Sequence, residues 1–364
     1  MKIICLHQSP DLYGSDRSFL QVIKYLKQDP SITLITVILP RTGPLADELT
    51  RVGAEVMYMP LSILSKTLLK QFKFGKIFSP LFAFWKKKQL FEQYDLLYVN
   101  TSVILDFYVM APFLNMRKII HIREIPMPTL SKVLSFFLSF SKSKIIYNSE
   151  ATKASFAPLK DTVVIYNAFE GFPQLNAQVE STSDRLKILL IGRINNWKGQ
   201  DFAVETLAEL KDYPFTLRIV GSTFEGNEDI YTALAAQVKN LGLENNVEFV
   251  DFMDDPMMAY SWSDIVIVPS KKPEPFGRIA IEAMSIGKPV IAAAHGGLTE
   301  IVVDGSTGFL FEPNNHASFK ECLLKYLKDS SLIKKHKENA LKVFNEKFSL
   351  PGFYTSLDKV FKNF

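Results

Sequence analysis

Glu274 and Glu282 stand with seven residues between them in the stretch Lys-Lys-Pro-Glu-Pro-Phe-Gly-Arg-Ile-Ala-Ile-Glu, residues 271–282. An apolar run, Ile265 to Val268, leads into this stretch through Pro269-Ser270, and helical composition follows from Arg278 to Ile286 before Gly287 stops it. One carboxylate therefore belongs to a strand-to-helix turn and the other lies about one turn into the helix. The first N–H groups of a helix lack internal partners and carry the positive end of its dipole, so they receive anions. Carboxylates beside them are poor phosphate ligands and good acceptors for sugar hydroxyls. A second cluster, Gly192-Arg193-Ile194-Asn195-Asn196-Trp197-Lys198-Gly199, follows another apolar run. A guanidinium and an ammonium there can neutralise a diphosphate without a metal. Taken alone, Arg193 and Lys198 read as solvated surface charges; together with the two acids they describe a site for a nucleotide sugar.

These groups need elements to position them. Lys2–Leu6, 33–39, 54–59, 95–99, 118–122, 144–147 and 163–166 are continuous apolar runs of strand length, several ending in small or polar residues. Helical patterns fill the early gaps, with Phe19, Leu20, Val22, Ile23 and Leu26 on one face of the first. Buried runs alternating with helices predict parallel α/β sheets, with ligands at the carboxyl ends of the strands. Residues 170–185 turn polar and irregular, and a second series begins, with strands at 187–191, 216–220, 247–250, 265–268 and 289–292. Two doubly wound domains in tandem are expected, facing each other across a cleft.

With 364 residues and 47% hydrophobic content the chain can bury more than one core. A net charge of +4 is too mild to imply nucleic acid as a partner. Cys5 and Cys322 have no redox or metal spacing, which fits a reduced, cytoplasmic setting. The apolar core of Met1–Leu6 is too short for a signal peptide, and no apolar run reaches the roughly 18 residues of a membrane span. No Walker A loop or G-x-G-x-x-G occurs, the histidines form no metal constellation, and Asp254-Asp255 reads as a helix cap. No metal or cofactor is expected.

The stretch Pro-Glu-Pro-Phe-Gly-Arg-Ile-Ala-Ile-Glu-Ala-Met resembles the signature of the retaining glycosyltransferases of GT-B fold, family 4, the group 1 type. Lys288-Pro289-Val290-Ile291, His295-Gly296-Gly297-Leu298-Thr299-Glu300 and Asp304-Gly305-Ser306-Thr307-Gly308-Phe309-Leu310 continue the resemblance, as does the 192–199 segment. The match is dense over 187–313 and looser before it. The resemblance implies that Glu282 accepts from the ribose and that Glu274 contacts the transferred sugar. It implies that Arg193 and Lys198 hold the diphosphate and stabilise the leaving nucleotide, with backbone N–H groups of Phe276, Gly277 and Arg278 at sugar or phosphate. His121, inside Ile119-Ile120-His121-Ile122, would make a polar contact near the donor sugar. Gly14, Ser15 and Asp16 stand where the family carries a two-glycine phosphate or acceptor loop; only Gly14 remains, and Ser15 reads as a helix N-cap.

The implied activity is retaining, metal-independent transfer from a nucleotide-diphosphate sugar to a glycan acceptor, lipid-linked, in bacterial surface polysaccharide synthesis. Nucleotide-sugar epimerases and hydrolases, and non-catalytic partner subunits, share the fold and stay open as alternatives. The expected organisation is an acceptor-side domain over 1–168, a linker over 169–185, a nucleotide-sugar domain over 186–343, and a terminal helix over 344–364 crossing back to the first domain. From Leu61 to Phe91 seven lysines (Lys66, Lys70, Lys73, Lys76, Lys86, Lys87 and Lys88) interleave with aromatics and no acid. That pattern suits an amphipathic segment on an anionic membrane, which would place the protein at the inner face of the cytoplasmic membrane; the same pattern also fits aromatics packed inward beneath a solvated basic face. Thr129 to Lys144, also apolar, reads as a domain helix.

Overall fold

Runs of Ile, Val and Leu with no polar alternation cannot leave one face in water, so they form parallel strands covered on both sides. The computed structural model describes residues 1–64, 75, 79–172, 184–223, 226–253 and 255–362. It divides into two compact units, Met1–Asn167 with Tyr354–Phe364, and Ala168–Phe353. Most of the expected 169–185 linker lies outside the described residues.

In the first unit, β1 (Lys2–Leu6), β2 (Leu34–Leu39), β3 (Glu55–Tyr58), β4 (Leu96–Val99), β5 (Arg117–Ile122), β6 (Lys144–Tyr147) and β7 (Thr162–Val164) pair in the order β3-β2-β1-β4-β5-β6-β7. Every pair is parallel, with Cys5 between Val37 and Tyr98. The connecting helices are α1 (Gly14–Leu26), α2 (Pro44–Arg51), α3 (Phe84–Phe91), α4 (Leu105–Met110), α5 (Pro128–Phe140) and α6 (Glu150–Ala154). The core gathers Ile4, Leu6, Leu97, Val99, Phe107 and Ile120.

In the second unit, β8 (Leu186–Ile191), β9 (Phe215–Val220), β10 (Val247–Val250), β11 (Ile265–Val268), β12 (Val290–Ala293) and β13 (Gly308–Phe311) pair in the order β10-β9-β8-β11-β12-β13, again all parallel. Its helices are α7 (Gln200–Ala208), α8 (Glu228–Asn240), α9 (Met257–Trp262), α10 (Arg278–Ser285), α11 (Leu298–Ile301), α12 (His316–Lys328) and α13 (Ser331–Lys347). The strand order reverses between β8 and β11, where Ile188 faces Ile265. Ligands enter open α/β sheets at such a reversal, because the loops leaving the two strands diverge there.

Two expectations need correction. The terminal helix does not begin at Phe344: that residue is buried within α13, and a new helix, α14 (Leu350–Phe361), starts after Phe348. Pro351 has no N–H to continue a preceding helix, so it favours a fresh start. Residues 354–361 pack in the first unit, where Tyr25 Oη donates to Asp358 at 2.7 Å and Phe361 lies 5.8 Å from Tyr98. The basic insert loses a member as well. Lys87 is buried, donating to the Pro60 carbonyl at 2.8 Å and pairing with Asp106, whose other oxygen accepts from the Ser62 N–H. A buried ammonium needs such a counter-charge, so Lys87 clamps the base of the insert. Lys66, Lys70, Lys73 and Lys76 lie outside the described residues. Phe82 and Trp85 are exposed.

Candidate sugar and phosphate site

The reversal between β8 and β11 sets two loops of the second unit side by side. After β8, Asn195 Oδ1 accepts from the N–H groups of Trp197 at 3.1 Å and Lys198 at 3.0 Å, a local turn that an Asn side chain readily makes. Gly199 then adopts φ +81°, with the Pro269 carbonyl 1.9 Å from where a Cβ would stand. Only glycine lets the β8 loop press against the end of β11 in this way. Gln200 Nε2 donates to the Arg193 carbonyl at 3.0 Å and holds the start of the loop, with Arg193 itself half-buried.

After β11, Ser270 and Glu274 enter the second loop. Lys198 Nζ donates to Glu274 Oε1 at 2.7 Å, and Ser270 Oγ donates to the same oxygen at 2.5 Å. Both protein partners thus occupy one carboxylate oxygen of a residue only 7% exposed. Burial pushes the Glu274 carboxyl upward, but the Lys198 charge and the hydrogen bonds from Lys198 and Ser270 outweigh it, so its pKa is lowered. The backbone is held too: the Gly297 N–H donates to the Glu274 carbonyl at 2.8 Å, and Glu274 bridges Gly296. His295 Nε2 bonds the Ser270 carbonyl at 2.9 Å, closing the clamp.

The helix α10 begins immediately after Gly277, whose φ is +118°. A Cβ there would stand 2.6 Å from Leu298, while Phe276 is buried 6.0 Å from Phe348. The start of α10 thus follows Glu274 by four residues, with the Ala280 N–H donating to the Gly277 carbonyl at 3.0 Å. On the same helix Arg278 pairs with Glu282 at 3.1 Å, and Tyr260 Oη donates to the other oxygen of Glu282 at 2.9 Å. The structure brings Lys198 and Glu274 into direct contact and fixes Glu282 through Arg278 and Tyr260. A separate cavity of about 390 Å³, lined by Asn195, Asn196, Gln200, Asp201 and Asp229 among others, lies between α7 and α8 and includes neither glutamate.

In the first unit His121 is wholly buried on β5. Its Nδ1 meets Tyr98 Oη at 3.0 Å and Arg123 at 3.1 Å. A guanidinium can only donate, so Nδ1 is the acceptor and Nε2 carries the proton; Nε2 has no partner among the described residues. Burial, then the Arg123 charge, holds its pKa well below the ordinary imidazole value, so the ring is neutral. Gly14, Ser15 and Asp16 do not form a loop; they are the first turn of α1, with Tyr13 at the N-cap position and Ser15 inside the helix. The Asp16 carboxylate is taken up internally, bonding His7 at 2.8 Å, the Tyr13 N–H at 2.9 Å and Ser15 at 3.1 Å. An acidic side chain three residues into a helix reaches back to the cap N–H, which is why helix replaces loop.

Sequence reading missed Ser270, Tyr260, Asn195 and the His7–Asn100–Tyr98–Arg123 network. Ser270 and Asn195 carried a signal, since short polar side chains three or four residues ahead of a functional group in a turn commonly orient it. Tyr260 carried none, because its distance to Glu282 is created only by the sheet.

Residues 172–343 match the model of the family described as glycosyl transferases group 1. An uncharacterized glycosyltransferase of Methanocaldococcus jannaschii is 31% identical over 179 residues, 48% of this chain and 47% of the relative. The D-inositol 3-phosphate glycosyltransferase of Corynebacterium aurimucosum is 35% identical over 150 residues, covering 39% of this chain and 35% of the relative. The chain thus spans about half or less of the length of these two curated relatives. The crystal structure of Anabaena Alr3699/HepE in complex with UDP and glucose superposes over 100% of both chains with a TM-score of 0.84 and 25% identity.

Proposed function

We propose that the protein is a retaining, metal-independent glycosyltransferase using a nucleotide-diphosphate sugar, a reading supported by the match of residues 172–343 to the glycosyl transferases group 1 model and by the GT-B fold. The observation that carries the reading is the Glu274 carboxylate, charged, nearly buried, and held by Lys198 and Ser270 on one oxygen alone among the described residues. Its second oxygen serves as acceptor for a hydroxyl of the transferred sugar. Glu282, fixed by Tyr260 and Arg278, accepts from the ribose. Arg193, Lys198 and the N–H groups at the start of α10 take the diphosphate, and their positive charge stabilises the phosphate oxygen as it leaves. In the transfer step the acceptor oxygen bonds to the anomeric carbon on the face from which the nucleotide departs. The sugar–phosphate bond breaks, the leaving phosphate takes the acceptor proton, and configuration is kept. A neutral His121 is suited to donating a hydrogen bond from Nε2 and not to removing that proton.

The UDP and glucose of the Anabaena structure make a UDP-sugar the first to test. A glycan acceptor, lipid-linked, at the inner face of the cytoplasmic membrane and in surface polysaccharide assembly, is the setting we propose, with the Lys66–Lys88 insert as one membrane contact. No helix among the described residues is long and apolar enough to cross a membrane. A thermal-shift screen against UDP-, GDP-, dTDP- and ADP-sugars, followed by incubation with and without glycan acceptors, tests the proposal. Stabilisation by one nucleotide class and acceptor-dependent product with retained anomeric configuration are expected. Turnover of the donor with no acceptor would point to an epimerase or hydrolase, and no stabilisation by any donor would remove the site.

A further inference from the structure

Helix α5 is apolar on its outward face as well as on part of its inward one. Its buried stripe is Ser131, Leu134, Ser135 and Leu138, and its outward stripe carries Val133, Phe136, Phe137 and Phe140. The inward serines are used: Ser131 Oγ bonds the Ser155 carbonyl, and the Ala157 N–H donates to Ser135 Oγ at 3.1 Å. The phenylalanines are not packed into the unit. Phe136 is 61% and Phe140 55% exposed, and the rings rest on each other, with Phe136 5.5 Å from Phe137 and 5.1 Å from Phe140. A surface helix in water is expected to be polar on its outward face, and a contiguous exposed apolar patch marks an interaction site.

The charges select the partner. No acid occurs from Pro128 through Lys144. Lys132 and Lys142 are exposed, with no ion pair among the described residues. An aromatic stripe rimmed by unpaired lysines complements an anionic bilayer surface, the rings entering the acyl boundary and the ammonium groups meeting headgroup phosphates. A second copy of the chain fits worse, because a two-fold contact through this stripe would bring the lysines of both copies into an interface where residues 128–144 offer no acid to pair with them.

We propose that the outer face of α5 is a membrane-docking surface for anionic lipid. The inference deepens the peripheral-membrane reading above and rests on it, while standing on residues outside the Lys66–Lys88 insert. It also revises the expectation that residues 129–144 form an ordinary domain helix: the segment is a domain helix on one face and a docking surface on the other.

Flotation of the full chain with vesicles of phosphatidylglycerol and phosphatidylcholine, or of phosphatidylcholine alone, tests it. The wild type is expected to float with the anionic vesicles. Phe136→Ser/Phe140→Ser should weaken this by about tenfold or more, since each half-exposed ring forfeits part of its transfer free energy. Lys132→Ser/Lys142→Ser should weaken binding to anionic vesicles and leave neutral vesicles unaffected. Unchanged melting and unchanged stabilisation by a nucleotide sugar would show that the variants fold, and that sugar response tests the transferase reading separately. The proposal is overturned if the phenylalanine variant floats like wild type. If it does so while Lys66→Ser/Lys70→Ser/Lys73→Ser/Lys76→Ser abolishes flotation, the peripheral reading survives and α5 is excluded. Absence of wild-type flotation ends both. A dimer that the phenylalanine variant converts to monomer, with no lipid binding by either, would instead make the stripe a contact between copies.

Discussion

Replacing Lys198 with Met should destabilise the second unit at neutral pH and leave it nearly unaffected in acid. Lys198 Nζ lies 2.7 Å from Glu274 Oε1, with side chains 16% and 9% exposed, so solvent screens the pair little. Removing the cation leaves a buried carboxylate with Ser270 as its one remaining side-chain partner among the described residues. Breaking a buried pair from one side costs about 3–5 kcal/mol; the slight exposure and the Ser270 bond bring the expectation to roughly 2–4 kcal/mol. In a unit of this size that lowers its melting transition by about 4–15 °C.

The pH dependence carries the sharper test. In the wild type the lowered Glu274 pKa contributes stability that is present above the ordinary carboxylate range and is lost as pH falls through the folded value. In Lys198→Met burial is no longer outweighed, so the folded pKa rises above the unfolded one. The variant then loses stability as pH rises through that range, and its deficit grows from acid toward neutrality. Adding Glu274→Gln to Lys198→Met should recover most of the loss, because a neutral pair has no buried charge to compensate. Calorimetric melts of the wild type, both single variants and the double variant across this range decide the matter. A deficit independent of pH, or no recovery in the double variant, would refute the account of Glu274 as a held anion.

Three further outcomes follow from the same geometry. Glu282→Ala should lower nucleotide-sugar affinity by about tenfold or more, and Tyr260→Phe by up to about tenfold through loss of one hydrogen bond to that carboxylate, both read by titration calorimetry. Gly199→Ala should cost more than about 2 kcal/mol in denaturant unfolding, because φ +81° and a carbonyl 1.9 Å from the new Cβ act together. Lys288, its pKa lowered to about 8 by burial, binds fewer protons folded than unfolded above that pH. Stability should therefore rise as pH climbs from about 8 toward the ordinary lysine value, and Lys288→Met should remove that slope in pH-dependent unfolding.

The sheets were legible because a parallel strand buried on both faces needs an unbroken apolar run, and that need is written locally: Lys2–Leu6, Val247–Val250 and Ile265–Val268 appear with the limits read from composition. The turn that carries Glu274 and Glu282 was legible for a related reason. A strand-to-helix turn must use particular residue types, so Glu274, Gly277 and Glu282 mark one without reference to the rest of the chain. Local chemistry also misled. A Gly-Ser-Asp triplet suits a loop and a first helical turn equally, and the buried His7 that holds Asp16 decided between them. Lys87 looked like part of a solvated basic face until Asp106, nineteen residues away, took its charge.

The sequence by itself determined the two parallel sheets, the turn with its paired acids and the positive segment at Arg193–Lys198, since each depends on neighbours in the chain. Only the tertiary structure decided that Lys198 and Ser270 share one oxygen of Glu274, that Tyr260 holds Glu282, and that α5 turns serines inward and phenylalanines out. Those facts depend on which strands become neighbours where the sheet order reverses and on which face of a helix finds the core, and a distance of that kind is set by the whole fold.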